Sequence, residues 1–262
     1  MTLWDPIELE RNRSYSWQVG PLRFWIRNNG TEWLEAHLYT AEKEDETQLT
    51  VAQASEKPLH SEWNRLICRG FSNRLRLLPL LPDRPVVVGS STVLKVLPDC
   101  SARFFVMIPL WLSLQVGEAG RTTLMEIPSV VLSNTWFGGL TAGELCYSLK
   151  TTAHMTLDGV APPPHVLICP VYLNNTAGTP LDFQKLCIHV EHLKVYSNER
   201  RLWTNEVNIT YEGVNLLSSV KYSDAAPAFE ENCRLISTER VPAEKSIFKK
   251  SFSFLRYFTM TE

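Results

Sequence analysis

The hydrophobic and polar positions of this chain follow the two-residue period of β-strands far more than the period of helices. In residues 186–191, Leu186, Ile188 and Val190 form one apolar face, and the three residues that alternate with them form a second face. Apolar residues at the three-and-four spacing of amphipathic helices are almost absent before residue 243. The pattern predicts an all-β protein.

A hairpin is the clearest local prediction. Segments 22–27 and 32–39 have strand character, and Asn29-Gly30 lies between them. An Asn-Gly pair readily supplies the two positive φ angles of a type I′ turn. We therefore expect a tight hairpin at this position.

The length of 262 residues suits two modest domains better than one large domain. We expect two β-sandwich-like lobes, at residues 1–120 and 121–242, with a division near the glycines at 117–120. Residues 243–262 form a separate tail. The prediction is an all-β fold of two sandwich-like lobes with a short C-terminal amphipathic helix.

The tail combines aromatic and basic residues. Phe248, Phe252 and Leu255 lie on one helical stripe with Arg256 beside it, which favours an amphipathic helix. The same segment also alternates with a period of two, so a strand is the alternative. Such a segment could dock on its own chain, on a partner protein, or on an anionic membrane surface.

Composition and charge narrow the functional classes. The formal net charge is −2, which gives no basic field for nucleic acid, so we expect no nucleic-acid partner. The longest uncharged apolar run, residues 104–117, is too short to span a membrane and contains Pro109. No secretory segment follows Met1, and the six cysteines form no CxxC pair, so we expect reduced thiols in the cytoplasm.

Cys187, His189, Glu191 and His192 form the richest group of metal-ligand types. Alternate residues of one strand project from the same face and could offer sulfur, nitrogen and oxygen donors to an ion. A metal site also needs converging ligands from elsewhere, and the sequence identifies no partner strand. An ordinary polar sheet face is therefore the favoured interpretation, with a metal site as the alternative.

Signatures of catalysis are missing from the sequence. It contains no Gly-x-Ser-x-Gly elbow, no phosphate-binding Gly-rich loop, and no cysteine in a recognisable nucleophile context. We therefore predict no catalytic residues and no cofactor.

Residues 133–143 are rich in Asn, Trp and Gly and predict a loop rather than regular structure. Large aromatic rings on a loop need something to cover them, either the other lobe or a bound molecule. If the cover is a ligand or a partner, we expect the pocket to be formed by the following residues: Asp83, Arg84, Asn134, Trp136, Phe137 and Glu144.

Six sequence blocks occur in a familiar order. They are LPDRPVVV at 81–88, IPLW at 108–111, LSNTWFG at 132–138, GELCY at 143–147, CPV at 169–171 and LWTN at 202–205. Over most of residues 80–222 this order resembles an uncharacterised prokaryotic family, domain of unknown function four hundred and thirty-two. The resemblance implies no activity, cofactor or catalytic residue.

Together these observations predict a non-catalytic cytoplasmic interaction or ligand-binding module whose partner is another protein or a second copy of the chain. One alternative is a metal-assisted hydrolase that uses the Cys187, His189, Glu191 and His192 group. Another is a peripheral membrane protein attached through the tail.

Overall fold

The computed structural model describes residues 3–40, 49–53, 62–68, 72–118, 122–141, 143–149, 153–198, 200–213, 218–243, 247–249 and 252–253. Across these residues the regular structure is β-strand, apart from short 3-10 turns such as Val190–His192. The prediction of an all-β protein is confirmed.

The chain divides into two compact units, each assembled from three stretches of sequence. Unit 1 contains Met1–Leu80, Pro109–Val131 and Pro162–Leu167. Unit 2 contains the stretches between and after them: Leu81–Ile108, Leu132–Ala161 and Ile168–Glu262. The expected lobes at 1–120 and 121–242 and the tail at 243–262 stay a prediction, because compactness does not test which segments fold independently.

Unit 1 holds two antiparallel sheets. The first has the order β1 (Ile7–Glu8), β7 (Arg74–Leu80), β10 (Trp111–Val116) and β11 (Thr122–Pro128). The second has the order β5 (Leu49–Gln53), β2 (Ser14–Val19), β3 (Leu22–Asn28), β4 (Trp33–Tyr39) and β6 (Asn64–Leu66). In β7 every second residue is buried, as the period-two pattern requires, and Trp17 of β2 stacks on Phe24 of β3 with ring centroids 5.1 Å apart.

The predicted hairpin connects β3 and β4, but its turn is not type I′. The strands pair up to Asn28 and Trp33, which leaves a four-residue loop rather than a two-residue one. Gly30 has φ +96°, whereas Asn29 has no positive φ. The Asn29 side chain instead accepts hydrogen bonds from the backbone N–H groups of Thr31 and Glu32, which closes the loop by a different route.

The first sheet of unit 2 is mixed. Its order is β12 (Ser133–Phe137), β13 (Glu144–Leu149), β8 (Val86–Val96), β15 (Leu181–Ile188) and β22 (Phe252–Ser253). β13 runs parallel to β8, and the other neighbouring pairs are antiparallel. β8 therefore separates β13 from β15.

The second sheet of unit 2 has eight strands. Its order is β20 (Arg234–Ser237), β16 (Val195–Ser197), β17 (Leu202–Thr204), β14 (Val166–Asn175), β18 (Val207–Tyr211), β19 (Ser218–Tyr222) and β21 (Ile247–Lys249), and β9 (Cys100–Pro109) also pairs with β14. The first six residues of β14 are all buried, as is typical of a strand covered on both faces.

The predicted C-terminal helix is wrong for the described tail residues. Phe248 lies in β21, opposite Ser219, and Phe252 lies in β22, opposite Leu186. Without the tail, β19 and β15 would end their sheets with unpaired backbone N–H and C=O groups, and a chain with period-two alternation satisfies these groups as a further strand. Leu255 and Arg256 lie outside the described residues.

No helix in the described segments is long and apolar enough to cross a membrane.

Candidate metal centre

Strand register places several metal-ligand residues on one face of the mixed sheet in unit 2. Val87 of β8 is the direct partner of Ser148 on one side and of Cys187 on the other. Because alternate residues of a strand share a face, Cys146 and Glu144 lie on the same face as Ser148. The face therefore carries Glu144, Cys146 and Cys187.

Three of the residues on or next to this face converge closely. One ligand atom each of Glu144, Cys187 and His189 lies within 4.8 Å of the other two. The shortest separation joins Nε2 of His189 to Oε1 of Glu144, at 2.9 Å. Side chains of three different donor types thus meet at one point.

Burial differs across this group. Cys187 and His189 are almost fully buried, whereas the Glu144 side chain keeps 38% of its surface exposed. The sulfur and nitrogen donors therefore sit in a dry environment, and the carboxylate connects them to solvent. An ion could enter on the Glu144 side.

Cys146 provides a second thiol beside the group. Its Sγ lies 3.9 Å from Sγ of Cys187 and 3.6 Å from the backbone oxygen of Glu144. Val87 and Phe137 form the apolar surroundings of the two thiols. The pair is buried and both cysteines are free.

The electrostatics disfavour Cys187 as a free nucleophile. The hydrogen bond with Cys146, burial, and the negative charges of Glu144 and Glu191 all raise the pKa of the Cys187 thiol. A reactive cysteine needs the opposite, a lowered pKa in a positive environment. A bound cation would supply the missing positive charge and displace the proton.

Glu191 and His192, which the sequence offers as ligands only in the alternative interpretation, lie in the 3-10 turn Val190–His192 rather than on the strand. His192 donates from Nδ1 to the Val241 oxygen at 2.9 Å, and its ring lies 5.2 Å from the Tyr222 ring. These two residues are not in the converging group, because the strand ends at Ile188 and its alternation stops there.

Glu191 keeps one unusual feature. Its Oε2 is buried and has no hydrogen-bond partner among the described residues, while its Oε1 lies 3.8 Å from His192 Nε2. Burial, followed by the negative charge of Glu191, raises the pKa of Tyr222. The negative charge of Glu191 also helps to raise the pKa of Cys187, so this carboxylate adds to the negative potential around the thiol.

Four of the six residues expected to form an aromatic pocket lie in the hairpin β12–β13, where they are divided between its two faces. Asn134, Trp136 and Tyr147 lie on the face opposite to Glu144 and Phe137, because pairing in the hairpin joins Asn134 to Tyr147 and Phe137 to Glu144. The expected loop at 133–143 is thus a strand followed by a turn, since hydrogen bonding to β13 outweighs the loop preference of its Asn and Gly residues.

The face that carries Asn134, Trp136, Leu145 and Tyr147 is the outer face of this hairpin. Polar contacts connect it to Asp83 and Arg84, which precede β8. Arg84 donates from Nη1 to Asn134 Oδ1 at 3.3 Å, and its guanidinium lies 5.5 Å from the Tyr147 ring centroid. The Tyr147 hydroxyl donates to Asp83 Oδ1 at 2.9 Å. Asp83, Arg84 and Asn134 therefore do lie together, with Tyr147 as a member that the sequence did not indicate.

The two neighbouring aromatic residues have opposite environments. Trp136 is 52% exposed and donates from Nε1 to the Gly139 oxygen at 3.0 Å. Phe137 is 4% exposed and packs beside the thiols. Phe137 is thus a core residue, and only Trp136 presents its ring to solvent.

Comparison with known proteins places the chain in a family. A family model described as a protein of unknown function, DUF432, matches residues 3–257. The chain belongs to the DUF432 family. No curated protein and no solved structure matches it. The DUF432 match spans nearly the whole chain and includes both units.

The ligand group of this DUF432 chain has a signal in the sequence that no single cluster of residues contains. Glu144-x-Cys146 and Cys187-x-His189 each place two ligand types two residues apart, the spacing that shares one face of an extended chain, although His189 directly follows the last residue of β15. Each pair is unremarkable by itself. The tertiary structure brings the two pairs together across β8.

Proposed function

We propose that the protein binds a divalent transition-metal ion through Glu144, Cys187 and His189. The observation that carries this proposal is the convergence of a carboxylate, a thiol and an imidazole to within 4.8 Å of one another in unit 2. Such mixed donor sets hold metal ions in proteins, and a cation offsets the like charges of the carboxylate and the thiolate.

Zinc is the ion we expect. Thiolate and imidazole donors disfavour Mg²⁺ and Ca²⁺, which prefer oxygen ligands, and favour zinc and similar ions. Zinc takes sulfur at about 2.3 Å and nitrogen or oxygen at about 2.0–2.2 Å, so its tetrahedral ligands lie roughly 3–4 Å apart. The three side chains therefore need only small movements to bind the ion.

The surrounding contacts support a preformed site. Glu144 orients the His189 ring through their 2.9 Å contact, and the low exposure of His189 and Cys187 restricts both side chains. Ligands held in place before binding lose little conformational entropy when the ion arrives.

Metal analysis of the purified protein tests the proposal. After dialysis against zinc and removal of the excess, we expect one zinc ion per wild-type chain and strongly reduced zinc in His189→Gln. His37→Gln is a matched control, because His37 Nδ1 also lies 2.8 Å from a glutamate, Glu35, but has no cysteine in its group. Wild-type protein without zinc, or equal zinc in His189→Gln, would refute metal binding.

A second candidate function is protein interaction through the outer face of β12–β13. Trp136 and Leu145 are direct partners in this hairpin, and they are 52% and 45% exposed. Exposed apolar side chains side by side, on the last two strands at one edge of a sheet, favour contact with another chain. A second copy of this protein is the partner that can be tested directly.

Sedimentation at several protein concentrations tests this self-association. We expect a concentration-dependent dimer for the wild type and a monomer for Trp136→Ser, with Leu140→Ser as a control because Leu140 is fully exposed in the turn beyond the paired strands. A wild type that stays monomeric at all concentrations would exclude self-association.

For localisation we propose the cytoplasm. All six cysteines are free, including the closely spaced Cys146 and Cys187, as suits a reducing compartment.

A further inference from the structure

We infer that Cys146 is a fourth protein ligand, so that the ion is held in closed coordination by two thiolates, one imidazole and one carboxylate. This inference rests on the proposed metal binding and extends it, since it specifies the chemistry and the role of the same site.

The separation of the two sulfur atoms supports shared coordination. Two zinc–sulfur bonds of about 2.3 Å at a tetrahedral angle place the sulfurs roughly 3.8 Å apart. Sγ of Cys146 lies 3.9 Å from Sγ of Cys187. The thiols are thus already spaced as two ligands of one zinc ion.

The separation of the sulfur atoms also argues against a disulfide as the reason for this pairing. Sγ of Cys146 and Sγ of Cys187 are 3.9 Å apart, whereas a disulfide joins its sulfurs at about 2.05 Å. Both cysteines are free, and their strands are not neighbours, because β8 lies between β13 and β15.

The remaining contacts of Cys146 show what coordination would change. Its Sγ now points towards the Glu144 backbone oxygen at 3.6 Å, and the tight group of Glu144, Cys187 and His189 does not include it. Coordination would therefore replace this weak hydrogen bond with a bond to the ion. The strand positions on either side need not change.

The fourth ligand decides the role of the ion. Zinc with three protein ligands keeps a position for a reactive water, whereas zinc with four is a structural site. With Cys146 bound, the ion links β13 to β15 and has no open position for substrate. The inference therefore assigns the ion to the stability of unit 2 and not to hydrolysis.

X-ray absorption at the zinc edge of the full-length, zinc-loaded protein counts the sulfur ligands. We expect two sulfurs at about 2.3 Å in the wild type and one in Cys146→Ser. Cys169→Ser is the matched control and should keep two, because Cys169 is a buried thiol on the other sheet that hydrogen bonds with Thr204.

The outcomes separate the inference from the proposed function. One sulfur in zinc-loaded wild type would overturn the role of Cys146 while leaving metal binding intact, and the wild-type spectrum decides this even if Cys146→Ser does not fold. Loss of a sulfur in Cys169→Ser instead would also overturn it. Wild-type protein that binds no zinc would refute the proposed function itself.

Discussion

Nε2 of His189 lies 2.9 Å from Oε1 of Glu144, although the two residues are 45 positions apart and their strands are not neighbours. β15 ends just before His189, β13 begins at Glu144, and β8 runs between them. The contact therefore joins two strands across a third. A ligand held at this point would connect parts of the sheet that share no backbone hydrogen bonds.

Zinc should stabilise the folded protein through this contact. A ligand at one hundred times its dissociation constant adds about 2.7 kcal/mol to the free energy of unfolding. We expect thermal unfolding of the wild type and of His37→Gln to shift upwards with added zinc, and that of His189→Gln to stay unchanged. An equal shift in all three proteins would show that zinc binds elsewhere.

Phe137 and Trp136 should differ sharply in their contribution to stability. Phe137→Ser removes a buried ring beside Val87 and the two thiols, and we expect a loss of about 3–5 kcal/mol. Trp136→Ser removes an exposed ring, and we expect a loss of about 1 kcal/mol or less. Urea unfolding measures both, and similar losses would contradict the assignment of only Phe137 to the core.

Asn175 should tolerate neither alanine nor aspartate. Its buried Nδ2 donates to the backbone oxygens of Val96, Leu97 and Thr179, and its Oδ1 accepts from the backbone N–H of Ala177. Asn175→Ala leaves these groups without partners and should cost about 2–4 kcal/mol.

Asn175→Asp should cost more at pH 7, because it places a negative charge against three carbonyl oxygens. The buried carboxyl would favour its protonated form, so the deficit relative to Asn175→Ala should shrink as the pH falls. Chemical unfolding at pH 7 and at acidic pH tests this order. An aspartate variant more stable than the alanine variant at pH 7 would contradict it.

Tyr39 should keep its proton to unusually high pH. Burial, followed by the negative charge of Glu35, raises the pKa of Tyr39 to about 12, and its hydroxyl donates to the Pro128 oxygen at 2.9 Å. In the unfolded chain a tyrosine titrates near pH 10. The stabilising contribution is therefore complete below about pH 10 and is lost as the pH rises through 12.

Phenolate absorbance during a pH titration measures this group. The step near pH 12 should be absent in Tyr39→Phe and should move to lower pH in Glu35→Gln, which removes the neighbouring charge. An unchanged titration in Tyr39→Phe would assign the step to another tyrosine.

The candidate site could be predicted from the sequence only in part. Cys187 and His189 belong to the alternative metal group because alternation with a period of two is a local pattern. The sequence places Glu144 in the aromatic pocket instead and gives no reason to pair Cys146 with Cys187, because nothing local shows that only β8 lies between β13 and β15. The same pattern includes Glu191 and His192, because the end of a strand at Ile188 leaves no clear mark in a continuous apolar and polar alternation.

The structure of the C-terminal tail also could be predicted from the sequence only in part. Its residues suit a helical stripe and a strand alternation alike, and local preference favoured the helix. Ile247–Lys249 and Phe252–Ser253 are strands because the last strands of two sheets offer them backbone partners. A local pattern cannot include partners supplied by β19 and β15.

The sequence by itself determined the all-β fold and the position of the β3–β4 hairpin, because side-chain alternation and turn residues act over a few neighbouring positions. Only the tertiary structure decided that Glu144 and Cys146 meet Cys187 and His189, that Phe137 is buried, and that the described tail residues are strands. These outcomes depend on which strands become neighbours. Strand pairing is a long-range choice, made by the burial of whole faces and the satisfaction of backbone hydrogen bonds.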